Sequence, residues 1–182
     1  MKDKTPFYNV ANMFFVGSIF SILVAITFGD KIVMKSEYIN IVKEWGVLTS
    51  AISIILMYEF GFIINRIGSL VIEPILEKTK IWPREKYGID VSEISETNSK
   101  FQAMITEINL MRSHIMLYSV FAIISLFLCK WLMFFIFIII VGIFILGGRK
   151  HNNKINEIRK EYAESKEFEK EMHALMTYNG EA

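Results

Sequence analysis

GVLTSAISIILMYEFGFIINRIGSLVIEPILE, residues 46–77, decides the class of this fold. Its first part, Gly46 to Ile64, carries a single charge, Glu59. About 20 mostly apolar residues suffice for a helix to cross the hydrocarbon core of a bilayer. Past Ile64 the pattern turns amphipathic. Asn65, Arg66, Ser69, Glu73 and Glu77 alternate with Ile67, Leu70, Val71 and Ile75 at helical spacing. The stretch therefore reads as one helix that crosses the membrane and continues into water until Pro74 disturbs it. Glu59, Arg66 and Glu73 lie seven residues apart, which puts them on one face with a drift of about 20° per step.

Three more apolar blocks accompany it. Phe7 to Phe28 has no charge, and its Gly17, Ser21 and Ala25 sit four apart. Such a stripe of small residues admits another helix closely, either from a second copy of the chain or from within the same chain. Ile115 to Cys129 is short for a span unless Ser113 and His114 enter the interface with it. Lys130 is the only charge before Trp131 to Gly148. These two blocks predict a tight helical hairpin with Lys130 snorkelling to the interface. The last block is nearly all Phe, Ile, Leu and Val, which marks it as the helix facing lipid.

The polar segments fall between and after the spans. Residues 29–45 form a mixed loop in which Ser36 to Glu44 could make a short helix. From Lys78 the chain is polar, punctuated by Pro83 and Gly88. From about Val91 a new helix is expected. Phe101, Met104, Ile105, Ile108 and Met111 give it an apolar face running straight into the third span. Residues 149–182 are rich in Glu and Lys, with a sparse stripe of Ile155, Ile158, Tyr162, Phe168, Met172 and Leu175. The spacing slips after Tyr162, which excludes a sustained coiled coil. This tail reads either as a surface helix on its own domain or, through Phe168, Met172 and Leu175, as a docking helix for a soluble partner.

The result is an all-α, polytopic membrane protein with four transmembrane helices and helical cytoplasmic extensions. Residues 1–77 hold the first two spans, 78–112 the connection and amphipathic helix, 113–148 the transmembrane hairpin and 149–182 the C-terminal helix. Sixteen of the 20 Lys and Arg fall on one side of that arrangement. The positive-inside rule then places both termini in the cytoplasm. Trp45 and Trp131 come out at the opposite interface, where indoles concentrate.

Composition narrows the function classes. Of 182 residues 53% are hydrophobic, and the net charge is +1, so no specific nucleic-acid binding is expected. The single cysteine, Cys129, allows neither an intrachain disulfide nor a Cys-based zinc site. His114, His151 and His173 lack second ligands at metal spacing, and no HExxH, P-loop, GxSxG or GxGxxG occurs. No enzyme, metal or cofactor is expected. Glu59 remains, with Asn65, Arg66 and Glu73 as the other polar groups on the same helix. A charge within a span costs about 2.5–3.5 kcal/mol on insertion scales, so it must be paired, protonated or next to water. One reading bonds Glu59 to Asn12, Ser125 or Tyr118 of a neighbouring span. The other places a ring of Glu59 side chains around an ion path in an oligomer.

The block from Tyr58 to Arg112, centred on NRIGSLVIEPILEK, resembles a pattern of small prokaryotic four-span membrane proteins of anti-phage defence. The whole plan is similar to the membrane subunit of the Kiwa system. The resemblance covers about a third of the chain and includes no catalytic motif. It implies a homo-oligomer in the bilayer of the inner membrane that recruits a soluble cytoplasmic effector. The function expected is thus an oligomeric scaffold or sensor in phage defence, with a self-sufficient ion channel as the alternative.

Overall fold

The structure, a computed structural model, describes residues 6–28, 46–83, 94 and 99–180, and side chains over 10–28, 46–83, 94 and 100–170. Four helices follow one another: α1 (Pro6–Phe28), α2 (Gly46–Lys78), α3 (Ser99–Phe127) and α4 (Trp131–Gly180). All four are long and apolar enough to cross a membrane. No strand occurs among the described residues. The fold class read from the apolar blocks is therefore the one observed. The possible helix over Ser36 to Glu44 lies outside the described residues, as does most of the segment around Val91.

Local sequence explains where the helices start and stop. Pro6 opens α1 at the position where its missing N–H costs nothing. Several serines within the spans bond back to their own helix. Ser18 donates to the Phe14 carbonyl (2.8 Å), Ser50 to Gly46 (2.7 Å) and Ser53 to Thr49 (2.8 Å). Two helix ends are closed alike. Lys80 and Cys129 both have φ of 55°. After α2, the Lys80 N–H bonds to the Glu77 carbonyl and the Ile81 N–H to Leu76. After α3, the Cys129 N–H bonds to Leu126 and the Lys130 N–H to Ser125. Each is a left-handed residue closing a helix C-terminus with paired backwards bonds, a role usually given to glycine.

The second turn makes the hairpin tight, as the lone Lys130 between two apolar blocks requires. The lysine does more than reach for the interface. Its Nζ donates to the carbonyl oxygen of Thr27 (2.8 Å) and so caps the C-terminus of α1. This fixes a hairpin end of the bundle, with Thr27, Cys129 and Trp131, and an opposite tail end, towards which α4 continues.

Three expectations are corrected. Pro74 does not end α2, which continues to Lys78. Proline removes one backbone bond and crowds the preceding turn, but Leu76, buried beyond it with Trp82 and Ile115, holds the helix on its course. The last span and the soluble tail are not separate. They form one helix of 50 residues, because no Gly–Pro break follows Gly147 and Gly148. Finally, α4 is not the least covered helix. Of the apolar window of α2 only 6% is buried, against 11% for α4.

The core lies along α3, which packs on α4, α2 and α1, while α1 also packs on α2. At its middle, Val16 and Leu23 of α1 meet Leu117, Phe121 and Ala122 of α3 and Phe137 of α4. Towards the tail, Leu76, Trp82 and Ile115 form a second cluster. Ile94, Phe101, Met104 and Ile155 form a third, beyond the spans.

Candidate functional site

The intramembrane polar residues divide into two sets. Asn65 turns inward and its Oδ1 accepts from the Ser113 hydroxyl (2.9 Å). Glu73 also turns inward and forms an ion pair with Arg112 of α3. The Arg112 side chain is only 10% exposed, so this pair fastens α2 to α3 from inside. Arg112 was not singled out by the sequence. The signal was present: an arginine at the start of a span opposite a helix carrying Glu73.

Glu59 and Arg66 belong to the other set and face outwards. Glu59 makes no hydrogen bond or ion pair with another described residue. Neither Asn12, Ser125 nor Tyr118 holds it, which corrects the internal-bond reading. The reason is geometric. Gly61 and Gly68 are the buried positions of this part of α2, and Glu59 lies on the opposite surface from Gly68. The heptad face read from the sequence therefore splits, with Glu73 drawn round to Arg112. Arg66 lies over the Phe62 ring of its own helix, 5.0 Å from the centroid. Around the two charges the surface is apolar. Ile52, Ile55, Ile63 and Leu70 are 47–77% exposed on the same side.

The small-residue stripe of α1 is used within the chain at one of its three positions. A Cβ at Gly17 would collide with the Met57 carbonyl, and one at Gly61 with the Met13 carbonyl. Ser21 is half-buried and donates to Gly17 O (3.0 Å), whereas Ala25 is exposed. Of the proposed docking residues on α4, Phe168 is 64% exposed. Met172 and Leu175 lie further along the same helix, and their side chains are outside the described residues. Ile155, Ile158 and Tyr162 instead pack inward on Phe101, Met104 and Ile94.

At the tail end α2 and α4 both lean on α3. The wedge between them holds a cavity of about 150 Å³. Glu73 and Glu77 come from α2, Asn109 and Arg112 from α3, and Asn152, Asn156 and Arg159 from α4. Trp82 forms a further wall. Its indole N–H donates to the Ile145 carbonyl (3.0 Å), and its ring lies on Gly148. The Asn152 and Asn156 amides both donate to the Pro83 carbonyl, each at 2.7 Å. These two bonds hold the chain after α2 against α4. No group of three metal-binding side chains occurs among the described residues.

No protein-family model matches the chain, and no curated protein or solved structure is significantly similar to it.

Proposed function

We propose that the protein is an oligomeric inner-membrane scaffold or sensor of phage defence, which recruits a soluble cytoplasmic effector through the far part of α4. The observation that carries this is the outward-facing Glu59. A carboxylate turned to lipid at this depth is costly, and a second protein surface removes the cost. The surface around it suits a helix seam. Ile52, Ile55, Ile63 and Leu70 offer apolar contact, while Glu59 and Arg66 supply opposite charges seven residues apart for a neighbouring copy. Copies inserted in one orientation present the same stripe to each other, so a cyclic assembly follows.

The effector site is assigned to the far part of α4 for a mechanical reason. At 1.5 Å per residue the helix is about 75 Å long, and about 30 Å of that spans hydrocarbon. The remainder is a rod that carries Phe168 exposed at a distance from the bundle. Movement in the membrane is transmitted along it without a hinge.

Glu59 also favours the second reading, an ion channel with a ring of carboxylates. The apolar residues above and below Glu59 count against it, because a conducting path needs continuous polar lining. Oxidative crosslinking in native membranes tests the seam. Ile63→Cys in a Cys129→Ala background should crosslink between copies, and Ile139→Cys on α4 should not. Absence of any Ile63→Cys crosslink would remove the oligomer.

A further inference from the structure

We propose that a small cavity inside the bundle, walled by Asn12 of α1, Asn65 of α2 and Asn109 and Ser113 of α3, is a binding site for one water molecule. Depth is the first argument. Counted back from Phe127 and Phe28 at the hairpin end, Ser113 and Asn12 lie about 21 and 24 Å along their helices, inside a hydrocarbon core about 30 Å thick. Lipid tails offer no hydrogen bonds at that level. Each polar group must be met by protein or by water that the protein encloses.

The unmet hydrogen bonds are the second argument. All three asparagines are half-buried. Their side-chain NH2 groups, and the amide oxygens of Asn12 and Asn109, make no hydrogen bond with another described residue. None of these atoms is sealed from contact. The Ser113 hydroxyl lies within bonding distance of two acceptors, Asn65 Oδ1 (2.9 Å) and the Asn109 carbonyl (3.0 Å). It has one hydrogen and serves one of them at a time. The lining therefore calls for a ligand that both donates and accepts. A cation would meet the oxygens and leave the NH2 groups unmet, and an anion would do the reverse. No lining residue is charged, so neither ion finds a counter-charge there. Water meets both kinds of group.

Size and access agree. The cavity measures about 20 Å³. A water needs about 10–15 Å³, so there is room for one and for no organic molecule. Asn109 also lines the tail-end cavity, which gives water a way in from that end. Towards the hairpin end Val16 closes the site. Its side chain is 1% exposed and packs with Leu117 and Phe121. The site is thus a blind inlet, and its water joins α1, α2 and α3 at one point.

The test is water-edited solid-state NMR of the full chain, isotope-labelled and held in phosphatidylcholine bilayers. Magnetisation from water should reach the Asn65 side-chain amide several-fold faster than the backbone amides of Leu117 and Phe121. Asn109→Leu, close to asparagine in volume, should abolish that excess. Should this variant fail to fold, Ser113→Ala keeps the cavity, removes one partner and should reduce the excess. Thermal unfolding of each variant distinguishes loss of the site from loss of the fold. Transfer to Asn65 no faster than to Leu117 would overturn the proposal, as would an excess that survives Asn109→Leu in a folded chain. A shift of the Asn12 and Asn65 side-chain signals when sodium replaces choline in the buffer would also overturn it, by assigning the cavity to a cation.

Discussion

Gly17 of α1 and Gly61 of α2 face each other so closely that neither has room for a methyl group. The backbone nitrogen of each would lie 3.1 Å from a Cβ placed on the other, and a carbonyl oxygen would lie closer still. Backbone cannot step aside as a side chain can, so the helices themselves would separate. Gly17→Ala should cost about 1–3 kcal/mol, the usual range for overfilling a close contact. Reversible unfolding in mixed micelles measures it. Ala25→Leu, on the exposed part of the same stripe, should leave the midpoint unchanged. Equal sensitivity at both positions would show that the stripe acts as a whole.

Arg112 and Glu73 are unequal partners, and their removal should have unequal effects. The Arg112 side chain is 10% exposed and that of Glu73 is 33% exposed. Glu73→Leu leaves a buried guanidinium uncompensated, whereas Arg112→Met leaves a carboxylate that still reaches water. Breaking a fully buried pair costs about 3–5 kcal/mol. Glu73→Leu should approach the lower end of that range, and Arg112→Met should fall clearly below it. The double variant should recover part of the loss. A larger loss for Arg112→Met would mean that the glutamate is the more deeply held group.

Periodicity and hydropathy made the class of fold legible, because a span must be long, apolar and helical whatever it packs against. The hairpin at Lys130 was legible for the same reason. The course of α2 through Pro74 was not, since propensity argues for a break and tertiary surroundings decide. Glu59 shows the deeper limit. Heptad spacing put it with Glu73, but spacing alone cannot say which side of a helix turns inward. Gly17 and Gly61 decide that here, and they are more than 40 residues apart in the chain. The cavity between α2 and α4 was illegible because Glu73, Arg112 and Arg159 come from three different helices.

The turn between α3 and α4 contains a removable strain. Cys129 has φ of 55°, a conformation that costs a residue with a Cβ roughly 1–2 kcal/mol and glycine almost nothing. Its side chain is exposed, so little packing is lost. Cys129→Gly should raise stability by about 1 kcal/mol, read as a higher unfolding midpoint in detergent. Cys129→Val should lower it. An unchanged midpoint for both would mean that the turn opens before the bundle unfolds.

The far part of α4 should be dispensable for the fold and required for function. Phe168 is exposed, and among the described residues the packing of α4 on other helices ends at Tyr162. Deletion of residues 168–182 should leave membrane insertion and the unfolding midpoint intact while abolishing cellular protection and effector capture. Phe168→Asp should weaken capture without changing insertion. A truncated protein that inserts and protects fully would exclude this segment as the docking site.

Glu59 separates the two functional readings. It has no partner within the described chain, so Glu59→Leu should not change the unfolding midpoint of the isolated protomer. Its effect belongs to assembly. In a seam between copies, Glu59 bonds to a neighbour, and Glu59→Gln keeps hydrogen-bonding capacity. Interhelical hydrogen bonds in membranes are worth about 0.6 kcal/mol on average, so the glutamine variant should assemble and function almost normally. Leucine retains the apolar contact but not the pairing, and should reduce the population of the closed oligomer. Arg66→Glu puts like charges along the seam and should disrupt it. Exchange of both charges, Glu59→Arg with Arg66→Glu, should restore assembly if the two meet across the interface. In a channel the charge itself would set ion preference. Glu59→Gln would then alter cation flux in reconstituted vesicles while the oligomer stayed intact. Crosslinking yield and vesicle flux, measured on the same preparations, decide between them. A glutamine variant that assembles, changes flux and loses cellular activity would replace the scaffold with the channel.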